Sequence, residues 1–188
     1  MRFVRGPEGF MEPVFDLPSG YPSGYVAGAE GFCDSTRRWL NDCHIPALQA
    51  RGLHTISPWD LTDPDEVAAV KALPLGEERR AAHRALNRRI AARNRQAMQH
   101  VSCMVASLEG PDVDSGTASE IGYYAGVHPG WAMMRRRPIF AWRTDWRETG
   151  EEGATVNLQV EYWIELSGGV IVPSLDELYS VVGSWVQQ

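Results

Sequence analysis

The hydrophobic positions of the chain form short apolar runs, and polar segments with helical spacing separate these runs. Residues 25–28 (YVAG) are an apolar run that ends in glycine, which predicts a strand followed by a tight turn. The helical spacing that starts at Phe32 closes at Gly52, a residue type that commonly follows the last turn of a helix. Residues 54–57 (HTIS) then predict a second strand, and residues 59–64 predict a loop. This part of the chain therefore reads as strand, helix, strand.

The same alternation continues to the end of the chain. Residues 77–100 are rich in Ala, Arg, Leu and Gln without Pro or Gly, which predicts one long helix. Residues 103–108 (CMVASL) form a continuous apolar run that suits a strand buried on both faces. Two further strands are predicted at residues 137–142 and 168–172, and a final helix at residues 175–186. Strands that alternate with helices indicate an α/β fold in which a parallel sheet is flanked by helices.

The chain divides into a leader and one domain. Residues 1–23 contain four prolines and part of a repeated PSGY, which predict an irregular N-terminal leader. Residues 24–188 then suit a single doubly wound domain of the flavodoxin- or Rossmann-like kind. In such sheets ligands bind outside the carboxyl ends of the strands. Three polar clusters are predicted to fall there: Gly28–Phe32, Glu109–Glu120 and Arg143–Asp145.

Composition and missing motifs limit the function. The formal charge of −6 and the pI near 5.4 argue against a nucleic-acid-binding surface. The cysteines and histidines show no metal-binding spacing, so we expect reduced thiols, no metal and no cofactor. No apolar run approaches the roughly 18 residues of a membrane span and no signal peptide pattern is present, so we expect a cytoplasmic protein without a membrane partner. P-loop, dinucleotide, zinc-protease and hydrolase-elbow motifs are also missing.

One stretch, residues 112–126 (DVDSGTASEIGYYAG), carries the carboxylate pair Asp114 and Glu120. Thr117-Ala118-Ser119-Glu120 fits a capping box, in which Glu120 would only satisfy backbone N–H groups at a helix start. The alternative interpretation is chemical. A helix N-terminus favours the ionised form of Glu120, and a carboxylate that attacks an anomeric carbon is the nucleophile of retaining glycosyl transfer. The residues alone leave both interpretations open.

Four motifs follow one another along the chain: YVAGAEGF at residues 25–32, DSGTASEIG at 114–122, RPI at 137–139 and NLQ at 157–159. They resemble, in this order, the Y-[LV]-A-G-x-x-x-F opening, the D-x-G-T-x-x-E-[IL]-G core, the G-K-P-[IV] strand and the late N-L-M segment of the nucleoside 2-deoxyribosyltransferase family. The core motif, placed after an apolar strand, is the most specific of the four. The resemblance covers about residues 24–178.

The resemblance implies roles for seven residues. Glu120 would be the nucleophile, and Asp114 would bind a sugar hydroxyl. Asn157 would reach the sugar from a neighbouring subunit, which implies a homo-oligomer with sites shared between subunits. The remaining substrate-binding residues would be Asn94, Gly28, Phe32 and Gln159.

Asn94 departs from the pattern of some family members, which carry an aspartate there as a ligand or proton donor to the base. An amide can hydrogen-bond the edge of a base but cannot donate a proton to it. The sequence therefore leaves open how the leaving base is protonated. Four further residues are candidate pocket walls: Trp59 and Asp60 in the loop after the second predicted strand, and Trp142 and Arg143 at the end of the fourth.

The sequence thus predicts an enzyme that transfers a 2-deoxyribosyl group from a deoxynucleoside donor to a free nucleobase acceptor. The reaction would pass through a covalent glycosyl-glutamate intermediate with overall retention. A first alternative is a nucleoside or nucleotide N-glycoside hydrolase of the same fold, in which water resolves the intermediate. A second is a non-catalytic nucleotide-binding module that uses the same cleft.

Overall fold

Five parallel strands form the central sheet. The computed structural model describes residues 2–6, 11–14, 21–127, 137–147 and 149–188. Its strands are β1 (Arg2–Arg5), β2 (Met11–Val14), β3 (Ser23–Ala27), β4 (His54–Ile56), β5 (Cys103–Ser107), β6 (Ile139–Trp142) and β7 (Val170–Val172). The sheet has the order β4-β3-β5-β6-β7, with every neighbouring pair parallel, and its winding reverses between β3 and β5. The predicted α/β class and doubly wound parallel sheet are confirmed.

Helices cover both faces of this sheet. They are α1 (Asp34–Trp39), α2 (Ile45–Gln49), α3 (Pro64–Ala72), α4 (Glu77–His100), α5 (Ser115–Val127), α6 (Leu158–Leu166) and α7 (Leu175–Val186). α4 and α7 match the predicted residues, and Gly52 has a φ of 87°, as expected of a residue that ends a helix. None of the described helices is both long and apolar enough to span a membrane.

The helix predicted over residues 32–52 is continuous only in part. A π-helical turn at Leu40–His44 joins α1 to α2. Pro46 lies in the first turn of α2 and has no amide hydrogen, so it cannot extend the regular hydrogen-bond ladder from the preceding turn. The chain accommodates this by a locally wider turn.

The sheet separates two hydrophobic cores, because side chains alternate between its faces along each strand. On one face Tyr25 and Met104 belong to the core that includes Ile121 of α5. On the other face Val26 belongs to the core that includes Leu178 of α7. Every residue of β3 and β5 is buried, so a ligand can reach these two strands only at their ends.

Two helices were not expected from the pattern of the sequence, which predicts a loop at residues 59–64. α3 begins at Pro64 because Asp63 caps it: the Asp63 carboxylate accepts a 2.9 Å hydrogen bond from the amide of Asp65. α6 begins in the same way after Asn157, whose side chain accepts a bond from the amide of Gln159. Both caps are local signals that a search for hydrophobic periodicity overlooks.

The leader is regular where the structure describes it in two short segments. β1 and β2 pair antiparallel, with Phe3 opposite Pro13. Both strands of a two-stranded sheet are edge strands, so the missing N–H of Pro13 is tolerated. The prediction of an irregular leader is therefore wrong for these two strands. Residues 1, 7–10 and 15–20 lie outside the described residues.

Candidate active site

The crevice at the reversal of the sheet lies at the carboxyl ends of β3 and β5. Ala27 and Ala106 are partners in the last part of the ladder, so Gly28 leaves the sheet beside Ser107. A Cβ added at Gly28 would overlap Oε2 of Glu30 and would lie 3.0 Å from the Cβ of Ser107. The absence of a side chain at Gly28 therefore allows the turn after β3 to pack closely on the end of β5.

Glu120 lies on α5 at this crevice and is held by two side chains from distant parts of the chain. The hydroxyl of Tyr25 donates a 2.7 Å hydrogen bond to its Oε1. Nδ2 of Asn94, on α4, donates a 3.3 Å bond to the same oxygen. Both bonds converge on Oε1, so Oε2 has no hydrogen bond to any of the described residues. The carboxylate is thus fixed through one oxygen while the other stays available.

The environment of Glu120 acts on its protonation in two opposite ways. Burial raises the pKa of the Glu120 carboxyl above its ordinary value, and the charge of Asp114 acts in the same direction. The hydrogen bonds from Tyr25 and Asn94 lower that pKa and so favour the carboxylate. Burial and the charge of Glu120 raise the pKa of Tyr25, which keeps its hydroxyl protonated as a donor.

Asp114, and not a Thr117–Glu120 pair, caps α5. The helix begins at Ser115, and Oδ2 of Asp114 accepts bonds of 3.0 Å from the amide and 3.2 Å from the hydroxyl of Thr117. Glu120 lies in the second turn and contacts Tyr25 instead of a backbone N–H. The capping-box interpretation is therefore wrong for Glu120. The observed cap, Asp114, lies three residues before Thr117, the cap that the sequence suggests.

A cavity of about 680 Å³ opens at the crevice. Five of the seven predicted site residues line it: Glu120, Asp114, Asn94, Gly28 and Phe32. The two carboxylates are its only acidic lining groups among the described residues. No three His, Cys, Asp or Glu side chains in the described part of the chain are grouped so as to hold a metal ion. A cavity of this size suits a small organic molecule that presents hydroxyl groups to carboxylates.

An aromatic pair forms one wall of the cavity. The ring of Phe32 meets that of Trp59 edge-on, with centroids 4.7 Å apart and planes at 88°. Phe32 is 76% exposed, so it is not a core residue. A Cβ at Gly31 would overlap the Trp59 indole, so the glycine lets the indole lie against the turn after β3. A flat apolar wall of this kind suits the face of an aromatic ligand.

Asn157 and Gln159 lie away from this cavity within a single chain. Oδ1 of Asn157 caps α6 by accepting a 3.0 Å bond from the amide of Gln159. Both side chains are exposed, and neither lines the cavity. Leu158 and Tyr162 beside them are 53% and 52% exposed, so this end of α6 presents apolar surface to its surroundings. One chain alone does not bring Asn157 to Glu120.

Of the four predicted pocket walls, only Trp59 lines the cavity. Trp142 is 1% exposed and belongs to the core on the opposite face of the sheet. Arg143 is buried, donates to the carbonyl of Leu108 at 2.5 Å, and borders a separate cavity of about 370 Å³ beside β7. Asp60 does not reach the lining. Side chains at the end of a strand alternate between the faces of the sheet, which explains why Trp142 lies in a core and not at the cavity.

Sequence reasoning missed three features of the cavity. Tyr25 is not among the predicted site residues, yet its hydroxyl donates a hydrogen bond to Glu120, which lies 95 positions away in the chain. Arg37 on α1 and Lys71 on α3 also line the cavity. Lys71 is the one lysine of the sequence, and this rarity could have drawn attention to it. Nothing in the local pattern around Lys71 indicates that it lines a cavity.

These features define a doubly wound α/β protein with a carboxylate site at the reversal of its sheet. The family model for nucleoside 2-deoxyribosyltransferase matches residues 25–162, which span both carboxylates and most of the domain. The chain belongs to the nucleoside 2-deoxyribosyltransferase family, and the resemblance inferred from its motifs is confirmed. No curated protein matches the sequence.

Solved structures support the fold. A conserved protein from Enterococcus faecalis V583 is 20% identical with a TM-score of 0.59, over 88% of this chain and 99% of its own. The 2-desoxiribosyltransferase from Leishmania mexicana is 16% identical with a TM-score of 0.57, over 87% and 97%. The 2-deoxyribosyltransferase from Bacillus psychrosaccharolyticus is 14% identical with a TM-score of 0.51, over 85% and 95%. At these identities the likeness is one of fold.

Proposed function

We propose that the chain transfers a 2-deoxyribosyl group between nucleobases through a covalent ester on Glu120. The observation that carries this proposal is the asymmetry of the Glu120 carboxylate. Tyr25 and Asn94 hold Oε1, whereas Oε2 has no partner among the described residues, and Glu120 lines the cavity. A carboxylate that is oriented by one oxygen and open at the other is arranged as a nucleophile.

The reaction has two halves. In the first, Oε2 of Glu120 attacks the anomeric carbon of the deoxynucleoside, the carbon–nitrogen bond breaks, and its electron pair leaves with the base. In the second, a ring nitrogen of the acceptor base attacks the same carbon and the Glu120 carboxylate departs. Two successive inversions give overall retention. Asp114 binds a sugar hydroxyl as an acceptor, and Phe32 and Trp59 contact the flat face of the base.

A second subunit completes the site in this proposal. Asn157 and Gln159 are exposed at the start of α6, next to the exposed side chains of Leu158 and Tyr162. Apolar surface of this kind favours association with another copy of the chain. In such a homo-oligomer the polar residues of one α6 would contact sugar that is bound to Glu120 of its partner.

One assay tests the proposal. A deoxynucleoside is incubated with and without a second free base, and the new nucleoside is measured for the unmodified chain and for Glu120→Ala. We expect a new nucleoside that requires Glu120. Glu78→Ala, which removes an exposed carboxylate on α4, is the matched control and should behave like the unmodified chain. Mass spectrometry of the quenched reaction should find deoxyribose on the peptide that contains Glu120.

The alternatives give different results in the same assay. Free deoxyribose at the same rate whatever the acceptor base would identify a hydrolase. Binding of the nucleoside without any turnover would identify a binding module. Normal activity of Glu120→Ala would exclude Glu120 as the nucleophile.

A further inference from the structure

Two cations line the cavity in addition to the carboxylates. Arg37 projects from α1 and Lys71 from α3, and both side chains are exposed. Neither forms an ion pair with a described carboxylate. Asp60 is near enough for Arg37 to oppose the rise in pKa that burial gives the Asp60 carboxyl, but the two are not in contact. Among the described residues, no carboxylate therefore holds either cation in an ion pair, and both can contact a ligand.

Arg37 is held at the aromatic wall. Its guanidinium carbon lies 5.3 Å from the centroid of the Trp59 ring, in a cation–π contact. Trp59 in turn contacts Phe32 edge-on at 4.7 Å. A base that lies against this wall would therefore have its edge close to the guanidinium.

Lys71 lies at the end of the cavity that is away from Glu120. α3 runs antiparallel to α4, because Glu66 pairs with Arg93 at 2.6 Å and the chain returns through the short connection at residues 73–76. Lys71, more than one turn after Glu66, therefore lies toward the start of α4, where Asn87 lines the cavity. Asn87 precedes Asn94 by two helical turns, or about 10 Å. The distance between Asn94, beside Glu120, and Asn87, toward Lys71, is enough for one flat heterocycle to lie between them.

Among the described residues that line the cavity, only Lys71 could give a proton to the nitrogen of the leaving base. Asn94 uses its amide hydrogens toward Glu120, and its Oδ1 is an acceptor only. No His, Cys or Tyr side chain lines the cavity among the described residues. The hydroxyl of Tyr25 is behind Glu120 and is a poor acid, because burial raises its pKa. Apart from Lys71, the described lining residues therefore give the leaving base no proton donor, and the base leaves with its electron pair in front of the two cations.

We propose that Arg37 and Lys71 receive the negative charge of the departing base, and that the chain consequently prefers bases with carbonyl oxygens that leave as anions. This inference rests on the proposed function. Charge is balanced in each half of the reaction: the Glu120 carboxylate becomes a neutral ester as the neutral nucleoside releases an anionic base, and an acceptor anion reverses both changes. Oxopurines and pyrimidine-diones spread the charge onto oxygens that the two cations can bind. Aminopurines lack these oxygens.

The test compares 2′-deoxyinosine with 2′-deoxyadenosine as donors, which carry a carbonyl and an amino group, respectively, at position 6 of the purine. Arg37→Gln and Lys71→Met should each lower kcat/KM for deoxyinosine about 10-fold, as expected for loss of one charged hydrogen bond, and should change that for deoxyadenosine much less. Arg38→Gln is the matched control, since Arg38 is exposed on the same helix and does not line the cavity. Arg38→Gln should leave kcat/KM unchanged for both donors.

Three results would overturn the inference. Equal losses for both donors would show that the cations act on all nucleosides alike, and no loss for either would show that they do not meet the base. A donor with a 5′-phosphate that is preferred by the unmodified chain, and that loses most in the two variants, would show that the cations bind phosphate instead. Failure of the proposed function looks different, because no donor would then show release of base that depends on Glu120.

Discussion

The hydroxyl of Tyr25, at the centre of the sheet, lies 2.7 Å from Oε1 of Glu120 on α5. Tyr25 is completely buried, and its hydroxyl is oriented by the packing of β3 between two neighbouring strands. The candidate nucleophile is therefore held by a residue of a fully buried strand that pairs on both sides. This arrangement reduces the number of orientations that the carboxylate would otherwise sample in the cavity.

Tyr25→Phe should slow the reaction and shift its pH dependence. The reaction needs ionised Glu120, and the bond from Tyr25 lowers the pKa of that carboxyl against the effect of burial. Removing the hydroxyl should raise this pKa, so the acid limb of the kcat profile should move to higher pH. We expect kcat at its plateau to fall by about 10–100-fold, because one hydrogen bond to a charged group is lost. An acid limb that stays in place would show that Tyr25 does not act on the ionisation of Glu120.

Glu120→Gln should abolish exchange and yet raise stability at neutral pH. Burial raises the folded-state pKa of Glu120 above its unfolded value, so its stabilising contribution is present below the unfolded pKa and is lost as pH rises through the folded pKa. Gln keeps an oxygen for Tyr25 and carries no charge. We expect the variant to unfold at higher urea than the unmodified chain near neutral pH, with the difference vanishing in acid. Glu78→Gln is the surface control. A loss of stability at neutral pH would instead favour a structural role for Glu120.

His44 should make the fold sensitive to acid. It is fully buried between Trp39 and Trp142, its Nδ1 lies 2.9 Å from the hydroxyl of Tyr179, and burial lowers its pKa to about 4. The folded state thus binds fewer protons than the unfolded state between that value and the ordinary pKa near 6.5. The contribution of His44 to the free energy of unfolding is fully present above about pH 6.5. It falls by roughly 3 kcal/mol as the pH approaches 4.

Urea unfolding across this range checks the role of His44. His44→Phe should make the unfolding free energy depend less on pH between about 4 and 6.5. His54→Gln, which changes an exposed histidine, should leave the pH dependence of the unfolding free energy unchanged. If the slope of unfolding free energy against pH were the same in His44→Phe and in the unmodified chain, other groups would account for the acid sensitivity.

The sequence specifies the fold more fully than the site. The helices at residues 77–100 and 175–186 and the positions of the central strands along the chain follow from composition, apolar runs and Gly52, which are local signals. α3 and α6 depend on caps at Asp63 and Asn157, signals that are also local but weaker than periodicity. β1 and β2 form by pairing with each other, a contact that local composition does not reveal. Pro13 therefore suggests irregular structure although it lies within a strand.

The contacts within the site depend on pairs that are far apart in the chain. Glu120 and Asp114 stand out because a family motif joins them, but the bonds from Tyr25 and Asn94 join residues 95 and 26 positions apart. Arg37 on α1 and Lys71 on α3 are far apart in the chain, and the fold brings both to one cavity. Periodicity and motif spacing relate only residues that are near in sequence. Contacts between residues this far apart become visible only in the folded structure.

We place the 5′ end of the substrate beside Asp114. Oδ2 of Asp114 caps α5, and the carboxyl of Glu30 packs on Gly28 close enough to Asp114 for their charges to interact. A free 5′-hydroxyl can donate to these carboxylates, but a 5′-phosphate of about −1.5 to −2 charge cannot. At about 4 Å and an effective dielectric near 20, each pair of unit charges repels by roughly 4 kcal/mol before screening.

Deoxynucleosides should therefore be turned over much faster than their 5′-monophosphates, and Asp114→Ser should narrow the gap between them. Serine also caps helices well, so this variant should lose little stability, whereas Asp114→Ala should lose about 0.5–2 kcal/mol. Asp112→Ser is the control, because Asp112 is exposed in the same loop and does not line the cavity. The measurement is kcat/KM for a deoxynucleoside and its monophosphate in each protein. Equal values in the unmodified chain would show that Asp114 does not face the 5′ position, since the repulsion would then be absent.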